Sequence, residues 1–261
     1  MTAAEPGDRL RAAAVLGLAV TQLVAAPLTP LLLGDDASPG AVSDDNTTLV
    51  TPAGYAFSIW GPIYLAGLAL AVRQALPGQR RREVHRRTGW WLALAFASST
   101  VWVPLFGAGL QWAAQLVIVV LVVALAVALA RLTALAPLGG RGDRWLLALP
   151  VSLYLGWASL ATVAGAATTA VAYGAPAEGF GPTLAAVAVL AAVTGAAVLV
   201  VSTVVAAGGF AASVTWALVA VAVETPEAAV AVTALVGAAA VVLALAVRVA
   251  RSGRRARVLL G

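Results

Sequence analysis

Thr51-Pro-Ala-Gly-Tyr-Ala-Phe-Ser-Ile-Trp-Gly-Pro-Ile-Tyr64 stands at the mouth of an apolar run, where a polar segment ends and special residue types crowd together. Pro52 and Gly54 fix an extended or turned approach. Tyr55, Phe57, Trp60 and Tyr64 follow at spacings that a helix would place largely on neighbouring faces. Such an entrance suits a flat, apolar ligand. Behind it the chain stays apolar from Tyr55 to Leu76, long enough to cross a bilayer.

The rest of the chain is built in the same way. It is 62% hydrophobic, with a mean hydropathy of +0.97. Its long runs are continuously apolar rather than alternating at every second residue, so the spans are helices and not strands of a closed barrel. Eight runs are expected: 10–33, 55–76, 90–106, 111–131, 145–171, 183–205, 210–223 and 228–247. The fold class is therefore an all-α polytopic membrane protein. The first run has the outline of a signal peptide, but it is long for one, and Pro27 directly after Ala25-Ala26 makes a poor cleavage site, so a retained helix is expected.

Charge supports the count. Every positive side chain is an arginine, and the arginines gather at the start, at Arg80-Arg-Arg-Glu-Val-His-Arg-Arg87, at Arg141 and Arg144, and in the tail from Arg248 to Arg257. The alternate connections are acidic, at Asp35 to Asp45, Glu178, and Glu224 to Glu227. Eight helices with both termini cytoplasmic satisfy every loop under the positive-inside rule. The expected location is a bacterial plasma membrane. Arginines placed this way orient a membrane protein, and nucleic-acid binding is not expected.

Candidate chemistry is sparse. There are no cysteines, which excludes thiol nucleophiles and thiolate ligands. His85 is read as a solvated loop residue without a second metal ligand nearby. Asn46-Thr47-Thr48 matches a glycosylation sequon by chance, and the glycines around Arg141 form a plain turn with no phosphate-binding pattern. Every Asp and Glu falls in a tail or loop, while Arg73 and Arg131 approach span ends and would snorkel. No carboxylate at mid-membrane argues against proton coupling, and no acid–base or nucleophile pairing points to an enzyme. The connection from Gly34 to Gly54 is long enough to be a lid or binding loop. Gly208-Gly209 is read as a hinge. Trp90, Trp91, Trp112 and Trp145 fit interfacial belts, whereas Trp60, Trp102 and Trp157 lie deeper and serve either interhelical packing or a pocket.

Pro52-Ala-Gly-Tyr-Ala-Phe-Ser-Ile-Trp60 with Ile63-Tyr64 resembles the helix-2 signature of the TspO/MBR family, the tryptophan-rich sensory proteins related to the translocator protein or peripheral benzodiazepine receptor. Ser99-Thr-Val-Trp-Val-Pro-Leu-Phe106 is similar to that family's helix-3 motif, and Tyr154-Leu-Gly-Trp157-Ala-Ser-Leu-Ala161-Thr162 to its helix-5 motif. The resemblance implies a five-helix bundle over 10–172, between a tail at 1–9 and three additional helices over 173–247, with a basic tail at 248–261. It further implies a receptor or sensor-like protein whose partners are the bilayer and a planar hydrophobic small molecule, with porphyrin or haem as a possible ligand and no cofactor required.

By the same resemblance, Trp60, Tyr64, Ser99, Trp102, Tyr154, Trp157 and Ala161 would line or support the ligand pocket. Pro52, Gly54, Tyr55 and Phe57 would shape its entrance. Tyr55 stands where the family has Trp, Ser99 where it has Asn, and Ala164-Gly165 where it has Leu-Asn. Members normally end after helix 5 and often dimerise; the extra helices would cover a face used for that, so a dimer is not carried over. The alternatives are an uncoupled permease for a small hydrophobic metabolite, moving about Gly208-Gly209, and a membrane scaffold without ligand.

Overall fold

The computed structural model describes residues 6–253 and 255–261. Among them are eight helices long and apolar enough to cross a membrane. Their α-helical parts are α1 (Pro6–Leu33), α2 (Trp60–Ala75), α3 (Glu83–Gly107), α4 (Gln111–Ala134), α5 (Leu149–Ala172), α6 (Phe180–Thr203), α7 (Ala207–Glu224) and α8 (Ala228–Arg251), the second span beginning at Gly54 and the fifth at Arg141. A 3-10 turn over Gly54–Ile59 leads into α2, and a short helix, Arg255–Leu260, follows α8. The expected all-α membrane fold is the observed one. With 28 residues, α1 is about 42 Å long at the helical rise, so its first turn projects beyond a hydrocarbon core of about 30 Å.

The first five helices close into a ring. α1 packs on α2 and α3, α3 on α4, α4 on α5, and α5 returns to α2. α7 then lies along the outside of α5, α8 packs on α7, and α6 packs chiefly on α8. Small residues let α5 and α7 approach closely: a Cβ at Gly156 would stand 2.7 Å from the Phe210 carbonyl oxygen. In a bilayer, where apolar side chains gain little by leaving lipid for protein, such close backbone packing is what joins helices.

The Gly208-Gly209 hinge is not observed. The chain breaks instead at Val204 to Ala206, with Ala206 at φ 53°, and both glycines sit inside α7. They are packing residues: a Cβ at Gly208 would lie 2.7 Å from the Leu259 carbonyl oxygen, and one at Gly209 would lie 2.8 Å from that of Leu149. Arg248 caps the end of α6 by donating to the carbonyls of Val201 and, at 2.7 Å, Val204. The C-terminal segment is therefore docked, with Val258 and Gly261 buried.

The basic end of the bundle differs most from expectation. α3 begins at Glu83 rather than Trp90, so His85 belongs to its first turns and is 0% exposed, with no hydrogen-bond partner among the described residues for either ring nitrogen. Asp8 and Asp143 are likewise buried rather than solvated. Asp8 accepts from Arg11 at 2.8 Å and from Arg86 at 2.6 Å, tying α1 to α3. Asp143 accepts from Arg73 at 2.6 Å and from both terminal nitrogens of Arg82. The carboxylate beside it raises Arg82 above the usual guanidinium range. Charges leave water here because each finds an opposite partner with directed hydrogen bonds. Arg73 thus turns to Asp143 instead of the lipid interface. Arg131 places its guanidinium 5.2 Å from the Trp91 ring centre and donates to the Arg87 carbonyl at 2.8 Å.

At the acidic end the long connection is an ordered cover. A helix over Pro39–Asp45 is capped by Ser38, whose Oγ accepts from the Ala41 N–H at 3.2 Å. Thr51 Oγ1 then accepts from the Thr48 N–H at 2.9 Å. Leu49, Val50 and Ala53 are buried beneath this turn.

Candidate functional site

The cover and three helices converge on a cluster of rings. The 3-10 turn over Gly54–Ile59 sets successive side chains about a third of a turn apart, so Tyr55 and Phe57 diverge. Phe57 points inward and meets Trp157 edge-on, with ring centres 6.0 Å apart. Tyr55 points away, is 48% exposed and packs edge-on against Trp216 of α7 at 5.3 Å. It stands beside the cover, apart from the rings around Trp60.

From α2, Trp60 and Tyr64 are one helical turn apart and share a face. Trp60 is central: its ring lies 5.3 Å from Trp102, 5.4 Å from Tyr64, and 5.9 Å from both Tyr154 and Trp157. α3 adds Trp102 stacked on Phe106 at 5.2 Å, one turn apart. α5 adds Tyr154 and Trp157 at i and i+3, with Ala161 one turn further on. Offset and edge-on arrangements of this kind are the favourable ones for aromatic rings.

Polar atoms inside the cluster are few. Ser99 donates to the Tyr64 hydroxyl at 3.2 Å, and the Tyr154 hydroxyl donates to Gln22 Oε1 of α1 at 3.3 Å. The indole N–H groups of Trp60 and Trp157 and the Gln22 amide nitrogen are buried without an acceptor among the described residues. An unmet buried donor is costly, and a bound acceptor would relieve it.

Beside these rings is a cavity of about 30 Å³, bounded by Pro52, Phe57, Trp102, Phe106, Trp157 and Ala161, and on the far side by Leu190, Ala217 and Val221. No ionisable side chain lines it. Trp60, Tyr64, Ser99 and Tyr154 form the layer behind its wall, and Gly54 opens the 3-10 turn above. Three helix motifs far apart in sequence therefore meet in one cage under one cover.

That convergence is accompanied by a family match: the family model described as TSPO-like protein covers residues 12–247. The chain belongs to the TSPO-like protein family. The matched region of this TSPO-like protein runs through α6 and α7 and most of α8, so the C-terminal helices lie within the family's span rather than outside it. Comparison with curated proteins and with solved structures returned no match.

Some participants carry little signal in the sequence of this TSPO-like protein. Gln22 is a lone amide within an apolar helix, which flags it weakly. Leu190, Ala217 and Val221 are ordinary apolar residues. Trp216 holds the cover: its indole N–H donates to the Ala56 carbonyl at 3.1 Å, while the Ala53 N–H donates to the Ala220 carbonyl at 3.1 Å. Trp90, Trp112 and Trp145 are exposed on the outside of the bundle, as belt residues are.

Proposed function

We propose that this TSPO-like membrane protein is a receptor or sensor-like protein that takes a planar, hydrophobic ligand into the aromatic cage. The observation that carries the reading is the pair of buried indole N–H donors, Trp60 and Trp157, left without acceptors within stacked rings. Trp157 lines the cavity, so a flat ligand with an acceptor atom on its ring would satisfy that donor while burying its faces against Trp102, Phe106 and Phe57; Trp60, in the layer behind, is reached only as the cage widens. Its affinity would come mainly from apolar burial, at about 25 cal/mol per Å².

The lining favours a neutral ring. A carboxylate-bearing tetrapyrrole would have to keep its acids outside the cage, because no cation lines the cavity. Haem iron would find no axial histidine there, since His85 is at the basic end. Ligand pockets usually enclose about 300–1,000 Å³, so the about 30 Å³ cavity must widen, and the element positioned to yield is the cover carrying Val50, Pro52 and Phe57. The absence of an acid–base pair from the lining supports binding rather than catalysis. An uncoupled permease has less support, because the Asp8 and Asp143 ion pairs close the basic end, which we assign to the cytoplasmic face by the positive-inside rule.

Tryptophan emission of the purified protein, titrated in parallel with protoporphyrin IX and 2-methyl-1,4-naphthoquinone, tests the proposal. Saturable quenching that weakens in Trp157→Phe is expected. Strictly linear, non-saturating quenching by both compounds would overturn it.

A further inference from the structure

A second and much larger cavity adjoins the cage. It is a groove of about 660 Å³ between α5 and α6, with walls that include Val163, Ala167 and Ala170 of α5 and Pro182, Ala185 and Val189 of α6. Its size falls within the usual range for ligand sites, whereas the cage beside it is nearly closed. Val50 of the cover and Val163 of α5 border both cavities. On α6, Ala186 lines the groove and Leu190, one turn on, lines the cage.

The groove exists because α6 packs chiefly on α8 and faces α5 with small side chains. Its chemistry is uniform. The one side-chain hydroxyl on its wall, Thr48, is already engaged with the Thr51 hydroxyl at 3.0 Å. No ionisable residue lines it, and there is no aromatic ring to stack on. Such a surface recognises flexible hydrocarbon and nothing more specific. The cage offers the complement: rings to stack on and, on its wall, the unmet indole donor of Trp157.

We propose that the α5–α6 groove is a subsite for the hydrocarbon tail of the ligand whose ring occupies the cage, so that the natural ligand class is a neutral planar ring bearing carbonyl-type acceptors and a long isoprenoid or similar apolar chain. This inference rests on the cage being the ligand site. It adds what the cage alone does not specify, namely a tail and the direction in which it leaves. Two of the three C-terminal helices acquire a role, since α6 supplies one wall of the groove and α7 part of the far wall of the cage.

The test compares 2-methyl-1,4-naphthoquinone with and without a polyisoprenyl tail, by saturable quenching of tryptophan emission in lipid nanodiscs. The variants are Ala170→Phe and Ala185→Phe. Both positions line the groove and are exposed, so the added rings fill it without entering a packed interface. Partitioning of the tail into lipid is common to all samples and cancels in each variant-to-wild-type ratio. The expected result is that each variant weakens the tailed quinone by at least about tenfold and leaves the tailless one within about twofold, which also shows that the variants are folded. Equal effects on both quinones, or none on either, would overturn the tail subsite while leaving the cage reading intact. Saturable binding of neither quinone to the wild type would overturn the cage reading, and this inference with it.

Discussion

Asp143→Asn separates a structural closure from an incidental surface pairing. Asp143 is 1% exposed and serves two guanidinium groups, Arg73 at 14% exposure and Arg82 at 34%. Removing one member of a buried ion pair costs about 3–5 kcal/mol, chiefly because the remaining charge stays buried and unpaired. Arg82 can rehydrate, so its share falls towards the about 0–1 kcal/mol of a surface pair. Arg73 cannot, and a total loss of about 3 kcal/mol is expected. In a chain of this size each kcal/mol moves the unfolding midpoint by about 2–4 °C, which gives a drop of about 6–12 °C. Thermal unfolding in detergent, followed by circular dichroism, measures it. Glu83→Gln is the control, because its pair with Arg87 is exposed on both sides, and it should lower the midpoint by no more than about 2 °C. If the two variants behaved alike, the buried ion pairs would not be what holds the helices together at the basic end.

Two further outcomes follow from the same geometry. Trp216→Phe keeps a ring beside Tyr55 but loses the bond to the Ala56 carbonyl, worth about 1 kcal/mol. Amide exchange over residues 53–59 should then accelerate roughly fivefold, and unchanged exchange would show that α7 does not hold the cover. Tyr154→Phe strands Gln22 Oε1 and should cost about 1–3 kcal/mol. Adding Gln22→Leu should restore most of that loss in unfolding measurements, since an apolar pair leaves no unmet group, and a second loss on top of the first would refute the pairing.

Much of this architecture was legible in the sequence because the bilayer imposes simple rules. Apolar length gave eight spans, and the alternating sign of the connections matched them. The meeting of Trp60, Trp102 and Trp157 was legible only through the family resemblance of their three motifs, since their residue types alone fit interhelical packing as well as a pocket. What was not legible depended on long-range pairing. Nothing near Asp143 announces that Arg73 and Arg82 will reach it across 70 and 61 residues, and His85 is buried because α3 starts earlier than its apolar run. Gly208 and Gly209 were misread because a glycine pair signals flexibility and close packing equally well. Tyr55 faces Trp216 rather than the rings around Trp60, a contact that depends on where α7 lies. Trp216 looks like one more aromatic residue in an apolar helix until α7 is seen lying against the cover.

The central claim is that the indole donors of Trp60 and Trp157 await an acceptor on a planar ligand. Tryptophan-indole 15N labelling gives eight side-chain signals, one for each Trp, which are assigned by single Trp→Phe substitutions. On adding 2-methyl-1,4-naphthoquinone, the account predicts saturable downfield proton shifts for Trp60 and Trp157, with Trp90, Trp112 and Trp145 unmoved. Shifts confined to those surface tryptophans, or no shift at any of the eight, would contradict it.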